Sequence, residues 1–273
     1  MTLKSLLAKI FAKKIVKQTK KWSENPVPIQ EKVFQELIKS AKNTSYGKDH
    51  NFEKISSFED FAKQVPIRDY EQIKPYIERV VKGEKDVLWK GKPLYFAKTS
   101  GTTSGAKYIP LTKESMPTHI DATRNAILHY INETGKTDFV NGKMIFLQGS
   151  PVLEEKNGIK FGRLSGIVAH YVPKYLQNNR LPSYTTNCIE DWETKVDAII
   201  EETLLQKMTL ISGIPPWVQM YFEKIHQKTG KKISEVFKDF SLFIYGGVNY
   251  EPYRAKFESL IGKKIDSIEL FPA

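Results

Sequence analysis

The sequence predicts an α/β protein whose largely parallel sheet is covered by helices, with a helical layer at its N-terminus. Two observations predict it. From residue 94 onward, short apolar runs of strand length alternate with longer stretches of helical periodicity. Strands separated by helices imply parallel pairing and a sheet with both faces covered. Before that point, apolar residues recur mainly at helical spacing.

The elements follow in order. Leu3, Leu6, Leu7, Ile10, Phe11 and Ile15 fall on one face of a helix, with lysines opposite. The pattern predicts a helix docked on its own protein. The alternative is peripheral contact of residues 1–22 with a membrane surface or a partner. Asn25-Pro26-Val27-Pro28 breaks the chain, and Val33, Phe34, Leu37, Ile38 and Ala41 mark a second amphipathic helix. Ser56-Ser57-Phe58-Glu59 and Asp69-Tyr70-Glu71-Gln72 each set a capping residue three positions before Glu or Gln, the signature of a helix start. Residues 1–90 therefore read as a helical N-terminal layer and 91–273 as the α/β portion. Leu94–Ala97 and Tyr108–Leu111 are short strands around a polar glycine loop. A helix is expected from Lys113 to about Asn132. Met144–Leu147, Met208–Ile211 and Leu242–Tyr245 read as buried strands, and Ile265 to Phe271 alternates as another. Helices fill about 189–206, 215–228 and 250–261.

Composition excludes several classes. Apolar residues at 40% and charged residues at 27% are the balance of a globular protein, not of a collagen-like or wholly disordered chain. Cys188 is the only cysteine, so no intramolecular disulfide can form and a cytoplasmic location is the default expectation. No run of roughly 18 apolar residues predicts a spanning helix. Lys4, Lys9, Lys13 and Lys14 interrupt the N-terminal apolar stretch, which is wrong for a secretory segment. The net charge of +11 is spread in scattered lysine pairs, so solvated faces are expected in preference to a nucleic-acid stripe. No H-E-x-x-H, C-x-x-C or G-x-G-x-x-G occurs, and no metal-ligand set is predicted.

Chemistry concentrates in Lys98-Thr99-Ser100-Gly101-Thr102-Thr103-Ser104-Gly105-Ala106-Lys107. Glycines let backbone N–H groups converge on an oxyanion, hydroxyls add donors, and a lysine adds a mobile positive charge. The string is not a Walker A loop. Gly101 and Gly105 are separated by three residues, and Ala106 precedes the lysine. The plainer reading is a hairpin loop whose hydroxyls satisfy local backbone. The complete string, flanked by strands and closed by Lys107, favours phosphate.

Thr99 to Lys107 resembles the first ATP-binding motif of adenylate-forming enzymes, and most nearly that of the auxin-responsive acyl-acid amido synthetase family, in a bacterial-looking version. Pro93–Ala97, Ile109–Thr112 and Val65-Pro66-Ile67-Arg68-Asp69-Tyr70 fit the same branch. Gly246-Gly247-Val248-Asn249 resembles the family's adenine-contacting segment, and Glu269–Ala273 the approach to its second ATP motif. Phe271, Pro272 and Ala273 would fill the first three positions of that motif, with Phe271 in place of the usual tyrosine. The resemblance thus implies an incomplete N-terminal domain of an adenylate-forming enzyme, without the small C-terminal domain and with little turnover of its own.

What the family does follows as expectation. An ATP-dependent ligase activates a carboxylic acid as an acyl-adenylate, with Mg²⁺, and conjugates it to an amino acid. Lys107 would neutralise the leaving phosphate. Thr99, Ser100, Thr102 and Thr103 would donate hydroxyl bonds, and Gly101 and Gly105 would admit the phosphates to the backbone. Gly246, Gly247, Val248 and Phe271 would flank the adenine. Arg163, Ser165 and Gly166, in an expected long loop after the Met144–Leu147 strand, would contact the acyl substrate. The alternatives are another adenylate-forming ligase that transfers the acyl group to a thiol, and a non-catalytic basic module binding a membrane surface or nucleic acid.

Overall fold

The computed structural model describes residues 2–99 and 107–270. Among the described residues there are nine strands: β1 (Tyr95–Lys98), β2 (Tyr108–Leu111), β3 (Lys143–Phe146), β4 (Glu154–Lys156), β5 (Ile159–Gly162), β6 (Arg180–Leu181), β7 (Met208–Ser212), β8 (Leu242–Tyr245) and β9 (Asp266–Glu269). They form two sheets, not the one sheet expected. The chain divides into two compact units, one of residues 1–17, 120–151 and 168–273 and the other of 18–119 and 152–167.

The first unit holds a five-stranded sheet in the order β6-β3-β7-β8-β9, parallel at every pairing. Its strands are buried on both faces because alternate side chains serve two cores. Met208 and Ile211 of β7 and Phe243 of β8 pack with helices Trp192–Thr203, Pro215–Thr229 and Glu251–Ile261. Leu210, Leu242 and Ile244 pack on the other side with Leu128 and Ile131 of helix Met116–Thr134 and with Ala12 and Ile15 of α1 (Leu3–Ser23). The α/β class with covered parallel strands is as the sequence predicts.

α1 departs from expectation in the face it uses. It buries Ser5, Ala12, Ile15 and Val16, while Leu3, Leu6, Leu7, Ile10 and Phe11 remain exposed. Ser5 and Ala12 are small and let the helix backbone approach closely, and Ile15 and Val16 add apolar contact. The helix is docked on its own protein, through Ile15 of the predicted face but otherwise by the side opposite Leu3, Leu6, Leu7 and Ile10.

The second unit holds a four-stranded mixed sheet, β2-β1-β5-β4, with β1 and β5 parallel and the outer pairs antiparallel. Phe96, Ile159 and Phe161 face Ile77 and Val80 of helix Tyr70–Val81. That helix starts as predicted: Asp69 accepts from the Gln72 N–H, and the Gln72 side chain accepts from the Asp69 N–H. The preceding helix, Phe58–Gln64, starts one residue later than read, with Ser57 paired to Asp60 in place of Ser56 with Glu59. α2 (Pro26–Ala41) buries Ile38 and Ala41 but leaves Val33 and Leu37 exposed. A second correction concerns Phe161 to Gly166, expected in a long loop. The segment is the end of β5 followed by a short helix, Leu164–Ala169, because the Asn157-Gly158 turn folds β4 and β5 into a hairpin.

The start of β9 carries a pH-sensitive bond. Asp266 accepts from Lys136 Nζ at 2.5 Å and from the Tyr130 hydroxyl at 2.6 Å. These hydrogen bonds, the lysine's first, hold its carboxyl below the usual carboxylate range. A depressed folded-state pKa contributes stability above the unfolded value of about 3.9, and that stability is lost as pH falls through the folded value. Asp266→Asn is therefore expected to lower unfolding stability by about 1–2 kcal/mol at pH 7 and by less at about pH 3. Urea unfolding of both proteins at the two pH values checks this.

Candidate active site

β1 and β2 form an antiparallel hairpin with Lys98 opposite Tyr108. Its neck is closed by two bonds. The Thr99 N–H donates to the Lys107 carbonyl at 3.0 Å, and the Lys107 N–H donates to Thr99 Oγ1 at 3.2 Å. The two ends of the predicted phosphate loop are thereby held together, with Thr99 exposed and Lys107 half-buried. Ser100, Gly101, Thr102, Thr103 and Gly105 lie outside the described residues.

The two lysines at the neck have different fates. Lys98 Nζ donates to both carboxylate oxygens of Glu154 at 2.9 Å, so its charge is matched from β4. Lys107 Nζ lies 5.3 Å from the centre of the Tyr70 ring. Among the described residues no carboxylate pairs with it. An ammonium over an aromatic face is held by the ring quadrupole and keeps its charge available to an incoming anion. Tyr70 is itself fixed, since its hydroxyl accepts from the Tyr108 N–H at 2.8 Å. Beneath the hairpin, Phe96 stacks on Phe161 with ring centres 5.1 Å apart, and Tyr108 meets Phe161 edge-on at 5.6 Å. Tyr70 was legible only as part of Val65–Tyr70; its contact with Lys107 needs the fold. Glu154 had no signal in the sequence.

The parallel register brings a further segment alongside. Ala97 of β1 is opposite Gly162 of β5, so Thr99 and Arg163 leave adjacent strands at the same end of the sheet. A Cβ at Gly162 would lie 2.4 Å from a methyl of Leu153, so a larger residue there would displace that side chain. The Arg163 carbonyl accepts from the Ile167 N–H at 3.0 Å and starts the short helix. Arg163 and Ser165 are exposed, and Gly166 is buried. The three acyl candidates thus share one turn at that sheet end.

The five-stranded sheet of the other unit carries Gly246, Gly247 and Val248 immediately after β8. Carboxyl ends of parallel strands are where open α/β sheets receive ligands. Gly246 lies against the neighbouring strand's exit, where a Cβ would be 2.1 Å from the Leu270 carbonyl oxygen. The Leu270 N–H donates to the Tyr245 carbonyl at 2.7 Å and fixes that approach. Gly247 has φ +84°, a left-handed conformation that turns the chain away from the sheet. Val248 follows, exposed. Burial pushes the Tyr250 phenol up to about 12 and raises that of Tyr245, so both stay protonated at neutral pH. Phe271 lies outside the described residues. Among the described residues no three or more His, Cys, Asp or Glu side chains are grouped so as to hold a metal ion.

The chain is similar to known proteins. Indole-3-acetic acid-amido synthetase GH3.2 of Arabidopsis thaliana is 30% identical over 105 residues, covering 38% of this chain and 19% of that protein. The solved GH3.15 acyl acid amido synthetase in complex with 2,4-DB superposes with a TM-score of 0.75 at 15% identity, over 94% of this chain and 54% of that one. A 2-hydroxyisobutyryl-CoA ligase solved with 2-HIB-AMP and CoA has a TM-score of 0.56 at 11% identity, over 90% of this chain and 48% of that one. At such identities the solved structures establish the fold, which this chain shares with them. The chain spans about half the length of these solved relatives and a fifth of that of GH3.2. Residues 15–180, more than half of the chain, match the GH3 family N-terminal domain, and the protein is a member of the GH3 family.

Proposed function

We propose that this chain is the ATP- and acyl-binding part of an acyl-acid amido synthetase. The enzyme activates a carboxylic acid as its adenylate and passes the acyl group to an amino acid. The observation that carries the reading is the Lys107 ammonium, held over Tyr70 at the neck of the glycine-hydroxyl hairpin with no carboxylate partner among the described residues. Membership of the GH3 family supports the same reaction.

The chemistry is the alignment of two anions. The carboxylate oxygen attacks the α-phosphorus, the bond to the bridging oxygen breaks, and pyrophosphate carries away that electron pair. Lys107 offsets the charge developing on the leaving group. The Thr99 hydroxyl, with those of Ser100, Thr102 and Thr103, donates to phosphate oxygens. Gly101 and Gly105 let the backbone close on them. Arg163 takes the acyl carboxylate from the neighbouring strand end, with Ser165 and Gly166 beside it. Gly246, Gly247, Val248 and Phe271 bound the adenine. An amino acid amine then attacks the acyl carbon of the mixed anhydride, giving the amide and AMP.

Lys107 and its hairpin lie on this chain, so ATP binding is expected of these 273 residues by themselves. Calorimetric titration with ATP is the test. Saturable binding without pyrophosphate exchange is the expected result. Absence of binding would overturn the reading. In a full-length enzyme carrying this segment, acid-dependent pyrophosphate exchange with an amide product is expected, and a thioester product would replace the amide reading with acyl transfer to a thiol.

A further inference from the structure

The exposed side of α1 has no place in the nucleotide chemistry. On a repeat of 3.6 residues, Leu3, Leu6, Leu7 and Ile10 project opposite the docked residues Ser5, Ala12 and Val16. Exposure reaches 71% at Leu3, 57% at Leu7 and 58% at Ile10, so these side chains meet water along two full turns. Isolated apolar residues at a surface are ordinary, but a contiguous helical stripe is not. Phe11 borders the stripe, with the Arg124 guanidinium 5.6 Å from its ring centre.

Charge identifies the occupant. Between Leu3 and Ser23 there are seven lysines and no acidic residue. Among the described residues none of the seven pairs with a carboxylate. Lys13 stands at the edge of the apolar stripe, and Lys14, Lys17 and Lys21 continue its line toward the C-terminal end of the helix. A leucine-rich face bordered by unpaired lysines complements a surface that is oily below and anionic above. These same lysines prevent the helix from crossing a bilayer, and no described helix is long and apolar enough to do so. We propose that α1 lies in the plane of an anionic lipid surface, inserting Leu3, Leu7 and Ile10 between the acyl chains while its lysines meet the headgroups.

Co-sedimentation of the whole chain with vesicles tests this. Phosphatidylcholine vesicles with about 30% phosphatidylserine are expected to retain the protein at least about tenfold better than pure phosphatidylcholine. Raising salt to about 0.5 M weakens retention, because it screens the lysines. Leu7→Glu/Ile10→Glu alters only exposed positions, so the thermal unfolding midpoint is expected to stay put while vesicle retention falls at least about tenfold. Equal retention on neutral and anionic vesicles, or none on either, overturns the proposal. So does a dimer in sedimentation analysis that Ile10→Glu dissociates, since the stripe would then serve a second copy of the chain. Retention on duplex DNA alone also overturns it. None of these outcomes depends on ATP binding.

Discussion

Replacing Lys107 with alanine is expected to weaken ATP binding by this chain roughly 10- to 100-fold, while its unfolding midpoint changes little. A charge-assisted contact to phosphate contributes about 1.5–3 kcal/mol, and the substitution removes it. The cost to folding is far smaller. Lys107 is half-buried, and its described side-chain contact is the Tyr70 ring at 5.3 Å, worth about 0.5–1 kcal/mol near the surface. Tyr70→Leu removes that ring but not the charge, so a smaller loss of affinity is expected. It also leaves the Tyr108 N–H without its acceptor, which lowers stability by about 1 kcal/mol. Calorimetric titration with ATP and thermal unfolding of both variants separate the two effects. An unchanged affinity for Lys107→Ala would make the hairpin a turn with no ligand.

The second large effect is structural. Gly246→Ala places a methyl 2.1 Å from the Leu270 carbonyl oxygen, far inside van der Waals contact, and the obstacle is backbone that cannot rotate away. β8 and β9 must separate where the Leu270 N–H donates to the Tyr245 carbonyl. A loss of about 2–3 kcal/mol is expected, which lowers the unfolding midpoint by roughly 4–12 °C in a protein of this size. Gly230→Ala is the control. Gly230 has positive φ, at +69°, which Gly246 does not, and a Cβ there meets nothing within 4 Å, so only the cost of the left-handed conformation arises, about 1 kcal/mol. Urea unfolding of the two variants distinguishes a steric clash from backbone conformation. If Gly246→Ala unfolds like Gly230→Ala, the close approach of the two strand exits is wrong.

Legibility followed how local each signal was. Leu242–Tyr245 appeared in the structure with the bounds read from its apolar run, and Asp69 caps its helix through the pair that the sequence displayed. Both rest on contacts within a few residues. The β4–β5 hairpin was missed because Glu154-Glu155-Lys156 is exposed and lacks the apolar alternation by which strands are recognised. Its existence depends on pairing β5 to β1, residues more than sixty positions apart in the chain. α1 shows the same limit. Its apolar stripe was legible, but which side would dock was not, because Ala8 and Ala12 carry little hydrophobic signal and their value lies in how closely they let a helix approach.

By itself, then, the sequence determined the α/β class, most helices and strands of the parallel sheet, and the glycine-hydroxyl string with its closing lysine, since periodicity and residue chemistry are written locally. Only the tertiary structure decided that Lys107 stands over Tyr70, that Lys98 is matched by Glu154, that Arg163 leaves the sheet beside Thr99, and that α1 turns its large side chains outward. Each of these joins residues distant in the chain or chooses between two faces of one element. Close packing and strand register make that choice, and neither is encoded in the spacing of any single segment.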